Sequence, residues 1–291
     1  MHMPESLRLN MNSSGDRGQH EVSVQTVSIK CLVTDYDGTI SPIHVARSES
    51  HVPLETRTML RQISRSIPVL IITAKDLHFI RPRTPFAQAW SAIGGLEVQI
   101  GKRLLKNESL EPRLPSVSQA LNYAGSHLTA AGIEIEEKRD TDGHTVAFSI
   151  DWRRAKNPEG AREEADRVAD YVGMLGLRVF KEENQPFFDV YQIVPDKGRA
   201  LQKMLSELRV KEGVMYLGDS EMDNSAFKIS NISIGVIHGK TRLKTLECDY
   251  LLKFEDVPTF LQTLISHAFL FSSDFSMIET NSICPVRLGR K

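Results

Sequence analysis

The chain has 291 residues, 41% hydrophobic and 25% charged, an ordinary globular composition that can bury one large core or two moderate ones. Because 36 basic residues face 37 acidic ones, the net charge of −1 argues against nucleic acid and an acidic membrane surface as partners. The apolar runs are too short to span a bilayer and the first residues lack a signal-peptide core, so we expect a cytoplasmic protein.

Three scattered cysteines, Cys31, Cys248 and Cys284, include no Cys-x-x-Cys pair. An odd number without close spacing argues against a disulfide framework and against a zinc site. We therefore interpret them as small apolar residues or residues of the tail.

Residues 1–26 are polar and carry no hydrophobic period, which predicts a disordered lead. Short aliphatic runs then predict buried strands at residues 27–33, 68–73, 213–219, 231–236 and 249–252. Residues 54–64 and 198–210 carry apolar side chains at the three- and four-residue spacing of amphipathic helices. Strands that alternate with helices predict an α/β fold with a doubly wound parallel sheet, whose ligand crevice lies at the carboxyl ends of the strands.

The middle of the chain has a different order. Between residues 114 and 191, a helix and two strands are followed by a second helix and two strands. This repeat predicts a four-stranded antiparallel sheet with two helices on one face, inserted into the first domain as a lid. We therefore predict a core domain of residues 27–107 and 194–270, an inserted domain of residues 108–193, and a patternless tail of residues 271–291.

Two carboxylates, Asp35 and Asp37, stand directly after the first predicted strand, and Gly38 permits a sharp turn. Like charges this close repel unless a cation or proton lies between them, although a solvated surface turn is the alternative interpretation. Asp219 and Asp223 follow a later strand. Together these oxygens form the ligand set that Mg²⁺ prefers, with waters and a substrate phosphate completing an octahedron.

Two further side chains point to a phosphate. Thr73 ends the second predicted strand, where its hydroxyl can donate to a phosphate oxygen, although such a residue alone is usually structural. Lys197 begins the helix that follows the insertion, where a cation opposes the helix dipole by about 0.3 to 1 kcal/mol. A phosphate bound at the helix amino end would meet both the dipole and the ammonium.

In this order the motifs resemble those of the haloacid dehalogenase superfamily of phosphatases. They are Asp-x-Asp-Gly-Thr at 35–39, the strand-end Thr73, Lys197, and Gly-Asp-x-x-x-Asp at 218–223, within a resemblance that covers residues 27–268. The resemblance implies a Rossmann-like core with an inserted α+β cap of type C2. It also implies that Asp35 is the nucleophile and Asp37 the acid and base, while Mg²⁺, Thr73 and Lys197 hold the phosphoryl oxygens.

A narrower resemblance is to the trehalose-6-phosphate phosphatases. It rests on DYDGTISPI at 35–43, GGLEVQIG at 94–101, Glu136-x-Lys138, and FDVYQIVPDKGRAL at 188–201. In the last stretch Asp189 stands eight residues before Lys197, where the family has a sugar-binding glutamate. This chain departs from the family in that shorter acid, in Thr-Ala-Lys at 73–75 for Ser-Gly-Arg, and in a less acidic fourth motif. These departures leave the identity of the sugar open.

The sequence therefore predicts a Mg²⁺-dependent phosphatase, with trehalose 6-phosphate as leading substrate and a monomeric protein. Alternatives are phosphatases of mannosyl-3-phosphoglycerate, sucrose phosphate or hexose phosphates, a sugar phosphomutase, and a catalytically silent sugar-phosphate sensor. For the residues of the inserted strands, a solvated sheet face is an equal alternative to sugar binding, and for the histidine it is favoured. The candidate substrate-binding residues are Gly38, Thr39, Glu136, Lys138, His144, Asp189 and Asn224.

Overall fold

The computed structural model describes residues 26–43, 45, 47–107, 114–181, 185–239 and 245–281. The strands are β1 (Thr26–Ser28), β2 (Cys31–Thr34), β3 (Val69–Ile72), β4 (Ala89–Ala92), β5 (Glu97–Ile100), β6 (Arg103–Lys106), β7 (Glu134–Arg139), β8 (Thr145–Asp151), β9 (Arg178–Lys181), β10 (Phe187–Tyr191), β11 (Val214–Gly218), β12 (Ile232–Ile237), β13 (Tyr250–Lys253), β14 (Leu270–Ser272) and β15 (Ile278–Thr280). The α-helices are α1 (Leu54–Ile63), α2 (Leu77–Arg83), α3 (Leu114–His127), α4 (Pro158–Met174), α5 (Lys197–Leu208), α6 (Asn224–Phe227) and α7 (Val257–Ser266).

A nine-stranded sheet forms the core, in the order β15-β13-β12-β11-β2-β3-β4-β5-β6. The six strands from β13 to β4 are parallel, and β15, β5 and β6 add antiparallel edges. Strands β2, β3 and β11 are buried along their whole length, as aliphatic strands covered on both faces must be. Helices α1, α2 and α7 contribute to one apolar cluster and α5 and α6 to another, so the predicted doubly wound α/β fold is confirmed.

The chain reverses its direction of travel across this sheet at β2. It first builds β3 and β4 on one side of β2, and later returns to build β11, β12 and β13 on the other. The carboxyl ends of β2 and β11 therefore flank a switch point, which is where open α/β sheets form their ligand crevice. Asp35 follows β2 and Asp219 follows β11, so topology alone brings these two residues together.

Residues 114–191 form a second, antiparallel sheet in the order β7-β8-β10-β9, with helices α3 and α4 packed against it. The predicted order of helix, strand, strand, repeated once, is confirmed. Alternate residues such as Phe148, Ile150, Phe188 and Val190 are fully buried in the cluster they share with the two helices. The residues between them belong to the opposite face, which is turned toward the core. We call residues 114–191 the inserted unit, and its exact domain boundaries stay a prediction.

The strand predicted at residues 27–33 is two strands. The amides of Lys30 and Cys31 both donate to the carbonyl of Gly213, at 2.7 and 3.1 Å, which breaks the ladder after β1. As a result β1 pairs with β14 in a separate two-stranded ladder, while β2 enters the central sheet.

The stretch predicted to be patternless also carries structure in its described part. Strands β14 and β15 lie between residues 270 and 280, and Phe271, Phe275 and Ile278 are buried against the core. These anchors sit on turns and short ladders, so they have no helical or strand period that a sequence pattern could reveal. The predicted lead up to residue 25, the remainder of the tail and Cys284 lie outside the described residues.

The described cysteines and the length of the helices can be compared with the sequence predictions. Cys31 and Cys248 are fully buried, as interpreted. Among the described residues, no helix combines the length and the apolar character needed to cross a membrane.

Candidate active site

The turn after β2 exposes one carboxylate and buries the other. The carbonyl of Tyr36 accepts hydrogen bonds from the amides of Ile40 and Ser41, at 3.0 and 2.9 Å, which folds the chain back on itself. Asp35 is buried, and its Oδ1 accepts the Tyr36 amide at 2.6 Å. The side chain of Asp37 is 29% exposed, so the two acids share one turn but differ in access to solvent.

A buried lysine joins this turn to the opposite side of the crevice. Lys197 begins α5, and its Nζ lies 2.8 Å from Asp35 Oδ2 and 2.7 Å from Asp223 Oδ1. Burial opposes the charged form, but Asp223 and Asp35 raise the pKa of Lys197 and keep it an ammonium. Burial also raises the pKa of Asp35, an effect that Lys197 opposes and that Asp223 and Asp219 reinforce.

Asp223 supports the site from beneath. Its Oδ1 also accepts the hydroxyl of Tyr216 at 2.6 Å, and its Oδ2 accepts the amides of Asp219 and Ser220 at 3.2 and 3.1 Å. These contacts fix the turn after β11 and orient Lys197. Asp35, Asp219 and Asp223 offer carboxylate oxygens within 4.8 Å of one another, so the cluster could hold a metal. Because Asp223 already accepts these donors, Asp35 and Asp219 are the better placed ligands.

Asp219 is surrounded by residues predicted for the site. Gly38, at a φ of +73°, places its backbone against the Asp219 carboxylate. Thr39 is fully buried, and its Oγ1 donates to Asp219 Oδ1 at 3.5 Å. His238 Nε2 also lies 3.3 Å from Asp219 Oδ2. His238 lines the cavity described below, although no sequence pattern predicts it as a site residue.

Thr73 lies at the carboxyl end of β3 and is almost fully buried. Its Oγ1 accepts the amide of Lys75 at 3.2 Å, so its own hydroxyl proton remains to be donated elsewhere. Lys75 Nζ in turn lies 3.5 Å from Asp37 Oδ2. In the sequence Lys75 is only a departure from the family motif. In the structure it lies beside Asp37 in the site.

A cavity of about 600 Å³ lies between the core and the inserted unit. On the core side it is lined by Asp35, Asp37, Lys75, Lys197 and Asp219, among others. The volume is within the range of pockets that hold small organic ligands.

The inserted unit lines the cavity with polar side chains. Glu136, Ser149 and Asp189 form one row across β7, β8 and β10, because Ser149 pairs in register with both of the others. Lys138 is buried beside this row and donates to Asp189 Oδ1 at 2.5 Å, as does Ser149 Oγ. The structure therefore brings three of the four residues predicted on the inserted strands, Glu136, Lys138 and Asp189, to the cavity.

Two of the residues predicted to bind substrate lie elsewhere. His144 is in the turn between β7 and β8, where it is half exposed and lies beside Asp140 at 3.6 Å. The side-chain amide of Asn224 forms hydrogen bonds to the backbone at both of its atoms. Its Nδ2 donates to the Thr245 carbonyl at 2.7 Å, and its Oδ1 accepts the Glu247 amide at 2.9 Å. Neither side chain lines the cavity, so the structure does not bring these two to the site with the others, and a role in substrate binding stays a prediction.

The sequence is similar to plant enzymes. It is 24% identical over 251 residues to the probable trehalose-phosphate phosphatase D of Arabidopsis thaliana, covering 80% of this chain and 66% of that protein. It is 22% identical to trehalose-phosphate phosphatase B of the same plant, over 68% of this chain and 55% of that protein. The chain thus matches less than two thirds of the length of these relatives. No protein-family model matches it.

Solved structures share the fold. A trehalose-6-phosphate phosphatase related protein superposes with a TM-score of 0.65 at 16% identity, covering 82% of this chain and 98% of that one. The C-terminal domain of C. albicans trehalose-6-phosphate phosphatase gives 0.64 at 16% identity, covering 82% and 93%. A sugar phosphatase of haloacid dehalogenase subclass IIB gives 0.56 at 12% identity, covering 82% and 99%.

Proposed function

We propose that this chain, which has the haloacid dehalogenase fold and resembles trehalose-phosphate phosphatases in sequence, is a phosphoric monoester hydrolase. It hydrolyses a sugar phosphate with the help of Mg²⁺ and through an aspartyl-phosphate, and trehalose 6-phosphate is the leading substrate. The observation that carries the proposal is the pairing of Asp35 with Lys197 at 2.8 Å, with Asp37 in the same cavity. A nucleophile, a phosphate-neutralising cation and a proton donor thus meet at the switch point of the sheet.

The two acids of the turn after β2, Asp35 and Asp37, have different chemical roles. An oxygen of Asp35 attacks the phosphorus as the bond to the sugar oxygen breaks, and Asp37 gives its proton to that leaving oxygen. Asp37 then takes a proton from a water that attacks the aspartyl-phosphate and releases phosphate. The greater exposure of Asp37 suits a group that exchanges protons with a water, whereas the buried Asp35 is held in place beside Lys197.

Lys197 and Thr73 hold the transferred group. The ammonium of Lys197 is fixed by Asp223 and can donate to a phosphoryl oxygen without leaving its place at Asp35. The Thr73 hydroxyl, which accepts the Lys75 amide, has its proton left to donate to a second oxygen. Positioning and charge stabilisation of this kind account for most of the catalysis of phosphoryl transfer.

The donor set fits Mg²⁺. The carboxylates of Asp35, Asp219 and Asp223 lie within 4.8 Å of one another and outnumber the one ammonium that Asp35 and Asp223 share, so the cluster offers hard oxygen ligands. When bound, Mg²⁺ supplies charge neutralisation for the phosphoryl oxygens. We assign Asp35 and Asp219 as the residues that would hold the ion.

The inserted unit supplies the groups that would read the sugar. Glu136, Ser149 and Asp189 accept or donate in one row, and Lys138 adds a buried ammonium beside them. Polar groups at fixed spacing are what hydrogen-bonding of sugar hydroxyls requires. The preference for trehalose 6-phosphate rests on the names of the relatives and on the motifs, and it is the finer part of the proposal.

The decisive experiment is a screen of phosphorylated sugars for phosphate release, with Mg²⁺ and with chelator. It includes trehalose 6-phosphate, sucrose phosphate, mannosyl-3-phosphoglycerate and a hexose phosphate, with the Asp35→Asn protein as the blank. We expect Mg²⁺-dependent release that is greatest for one of these compounds. Conversion of one sugar phosphate into an isomer without free phosphate would identify a phosphomutase, and binding without turnover would identify a sensor; either result overturns the proposal.

A further inference from the structure

Two cations of the core converge on one carboxylate of the inserted unit. Lys75 Nζ donates to Glu136 Oε1 and Oε2 at 3.2 and 3.1 Å, and Arg47 Nη1 also donates to Glu136 Oε1. Glu136 lies on β7, Lys75 follows β3, and Arg47 lies in a 3₁₀ turn after β2. We call these three side chains the clasp, because they join the two parts of the molecule across the cavity that all three line.

Each cation of the clasp also holds a carboxylate of the core. Lys75 Nζ lies 3.5 Å from Asp37 Oδ2, and Arg47 Nη2 donates to Asp76 Oδ2 at 2.7 Å. Charges therefore alternate along the series Asp37, Lys75, Glu136, Arg47 and Asp76. An alternating series is stabilising as a whole, and it is broken in the middle when Glu136 leaves with the inserted unit.

The two cations are also neighbours of each other. Arg47 and Lys75 both lie over the ring of Phe79, at 4.4 and 5.5 Å from its centroid. Without Glu136 between them, these two like charges beside one ring would repel. Burial would raise the pKa of Glu136, but Lys75, Lys138 and Arg47 hold that pKa below its usual value, so the anion of the clasp stays charged.

Asp37 is held at both of its oxygens. Ser50 Oγ donates to Oδ1 at 3.3 Å, and the carbonyl of Ser50 is itself anchored by Arg83 Nε at 2.9 Å. Lys75 meets the other oxygen. The contact from Ser50 to Asp37 involves core residues alone. The contact from Lys75 to Asp37 uses an ammonium that Glu136 of the inserted unit also binds.

We infer that Lys75 is a positioning residue that orients the Asp37 carboxylate when Glu136 is docked against it, so that closure of the inserted unit and proton transfer are coupled. The clasp stands on geometry alone. The consequence for proton transfer rests on the proposed function, in which Asp37 is the acid and base.

The clasp is tested first without turnover, by the distance between two spin labels. Leu54→Cys on α1 and Met174→Cys on α4 place the labels on side chains that are 68% and 78% exposed, while Cys31 and Cys248 are buried. Cys284 is replaced by serine.

We expect Lys75→Met to add a second distance population that is absent from the parent protein. Glu137→Gln, next to Glu136 but in an exposed pair with Arg139, is the matched control and should leave the distances unchanged. Parent-like distances in Lys75→Met overturn the clasp.

The coupling is then tested by kinetics on a sugar phosphate and on an aryl phosphate. Misplacing a catalytic group by about 1 Å costs on the order of 100-fold, so Lys75→Met should lower kcat by about 10- to 100-fold on both compounds with a smaller change in KM. Lys75→Arg keeps the charge and should recover most of the loss. An unchanged kcat in Lys75→Met, or no recovery in Lys75→Arg, overturns the coupling even if the label distances shift. Should the parent protein release no phosphate from any sugar phosphate, the proposed function fails, whereas the label distances still decide the clasp.

Discussion

Gly38 and Asp219 approach each other so closely that a Cβ on residue 38 would lie 2.0 Å from Asp219 Oδ2. The glycine also has a φ of +73°, a conformation that costs other residues energy. The turn after β2 and the carboxylate after β11 can therefore share the crevice only because residue 38 has no side chain.

Gly38→Ala should displace Asp219 and add backbone strain. We expect the free energy of unfolding to fall by about 1 to 3 kcal/mol, together with loss of phosphatase activity even in the folded fraction. Gly101→Ala is the matched control, because Gly101 also has a positive φ, +56°, but no atom of the described residues beyond its chain neighbours lies within 4 Å of its Cβ position. Chemical unfolding and phosphate release measure both effects. Activity retained in folded Gly38→Ala would show that the close approach is not needed.

Asp35→Asn should lower turnover by several orders of magnitude while the protein still folds. The amide keeps the shape of the side chain but is a far poorer nucleophile. Because Asp35 is buried and Lys197 keeps its second partner Asp223, removing this charge should cost little stability. Phosphate release and thermal unfolding are the measurements, and near-normal turnover in the folded variant would rule out Asp35 as nucleophile.

Exhaustive chelation should abolish activity and Mg²⁺ should restore it, whereas Zn²⁺ should serve poorly in an all-oxygen site. Mg²⁺ should also raise the free energy of unfolding, by about 2.7 kcal/mol at a concentration 100 times its Kd. Asp219→Asn should remove this shift. Asp142→Asn, in a separate acidic cluster with Asp140 and His144, should keep it. Full activity after metal removal would contradict the proposal.

Lys138→Met should weaken recognition of the sugar more than the chemistry. A hydrogen bond to a charged group contributes about 1.5 to 3 kcal/mol, so kcat/KM for the sugar phosphate should fall while that for an aryl phosphate changes much less. Arg139→Gln, on the exposed face of β7, serves as control. Thr73→Ala should instead weaken both substrates together, because in the proposed function Thr73 donates to the phosphoryl group common to them. Equal losses in Lys138→Met would mean that the inserted unit does not read the sugar.

Asp140→Asn should destabilise the protein at neutral pH but not at low pH. Burial would raise the pKa of Asp140, yet the His144 amide and the Lys106 ammonium outweigh it and hold the pKa below its usual value. A depressed pKa contributes stability above the unfolded value of roughly 3.9, and that contribution is lost as the pH falls through the folded pKa. We expect a deficit of about 1 to 2 kcal/mol at pH 7. Urea unfolding at pH 7 and pH 3 measures it, and a deficit independent of pH would contradict the assignment.

The core of the candidate site could be predicted because of where its residues fall along the chain. Asp35, Thr73 and Asp219 each follow a parallel strand, and Lys197 begins a helix, so the architecture itself collects them at one edge of the sheet. Local patterns encode strand ends and helix starts directly. The same is true of the inserted unit, whose repeated order of helix, strand, strand is visible in the sequence.

What depends on the distance between separate elements could not be predicted. The contact of Lys75 with Glu136 arises only when the inserted unit is placed over the core, and no local period encodes that placement. His144 lies in a turn beyond an irregularity at residues 138 and 139 of β7, so its position in the sequence gave no reliable face. Asn224 follows the fourth motif directly, but the backbone of residues 245–247 claims its amide.

The alternation of the inserted strands has a consequence for how such a protein evolves. One face of β8 and β10 packs on α3 and α4, while Ser149 and Asp189 on the other face, together with Glu136 of β7, line the cavity. A substitution at Ser149 or Asp189 would therefore change the polar groups offered to a substrate without creating a cavity in the apolar cluster behind them. Neither does it touch Asp35 or Thr73, which belong to the larger sheet. Selection could therefore vary the polar groups on one side of this sheet while the apolar packing on the other side is conserved, with Glu136 as the exception because it also holds Lys75 and Arg47.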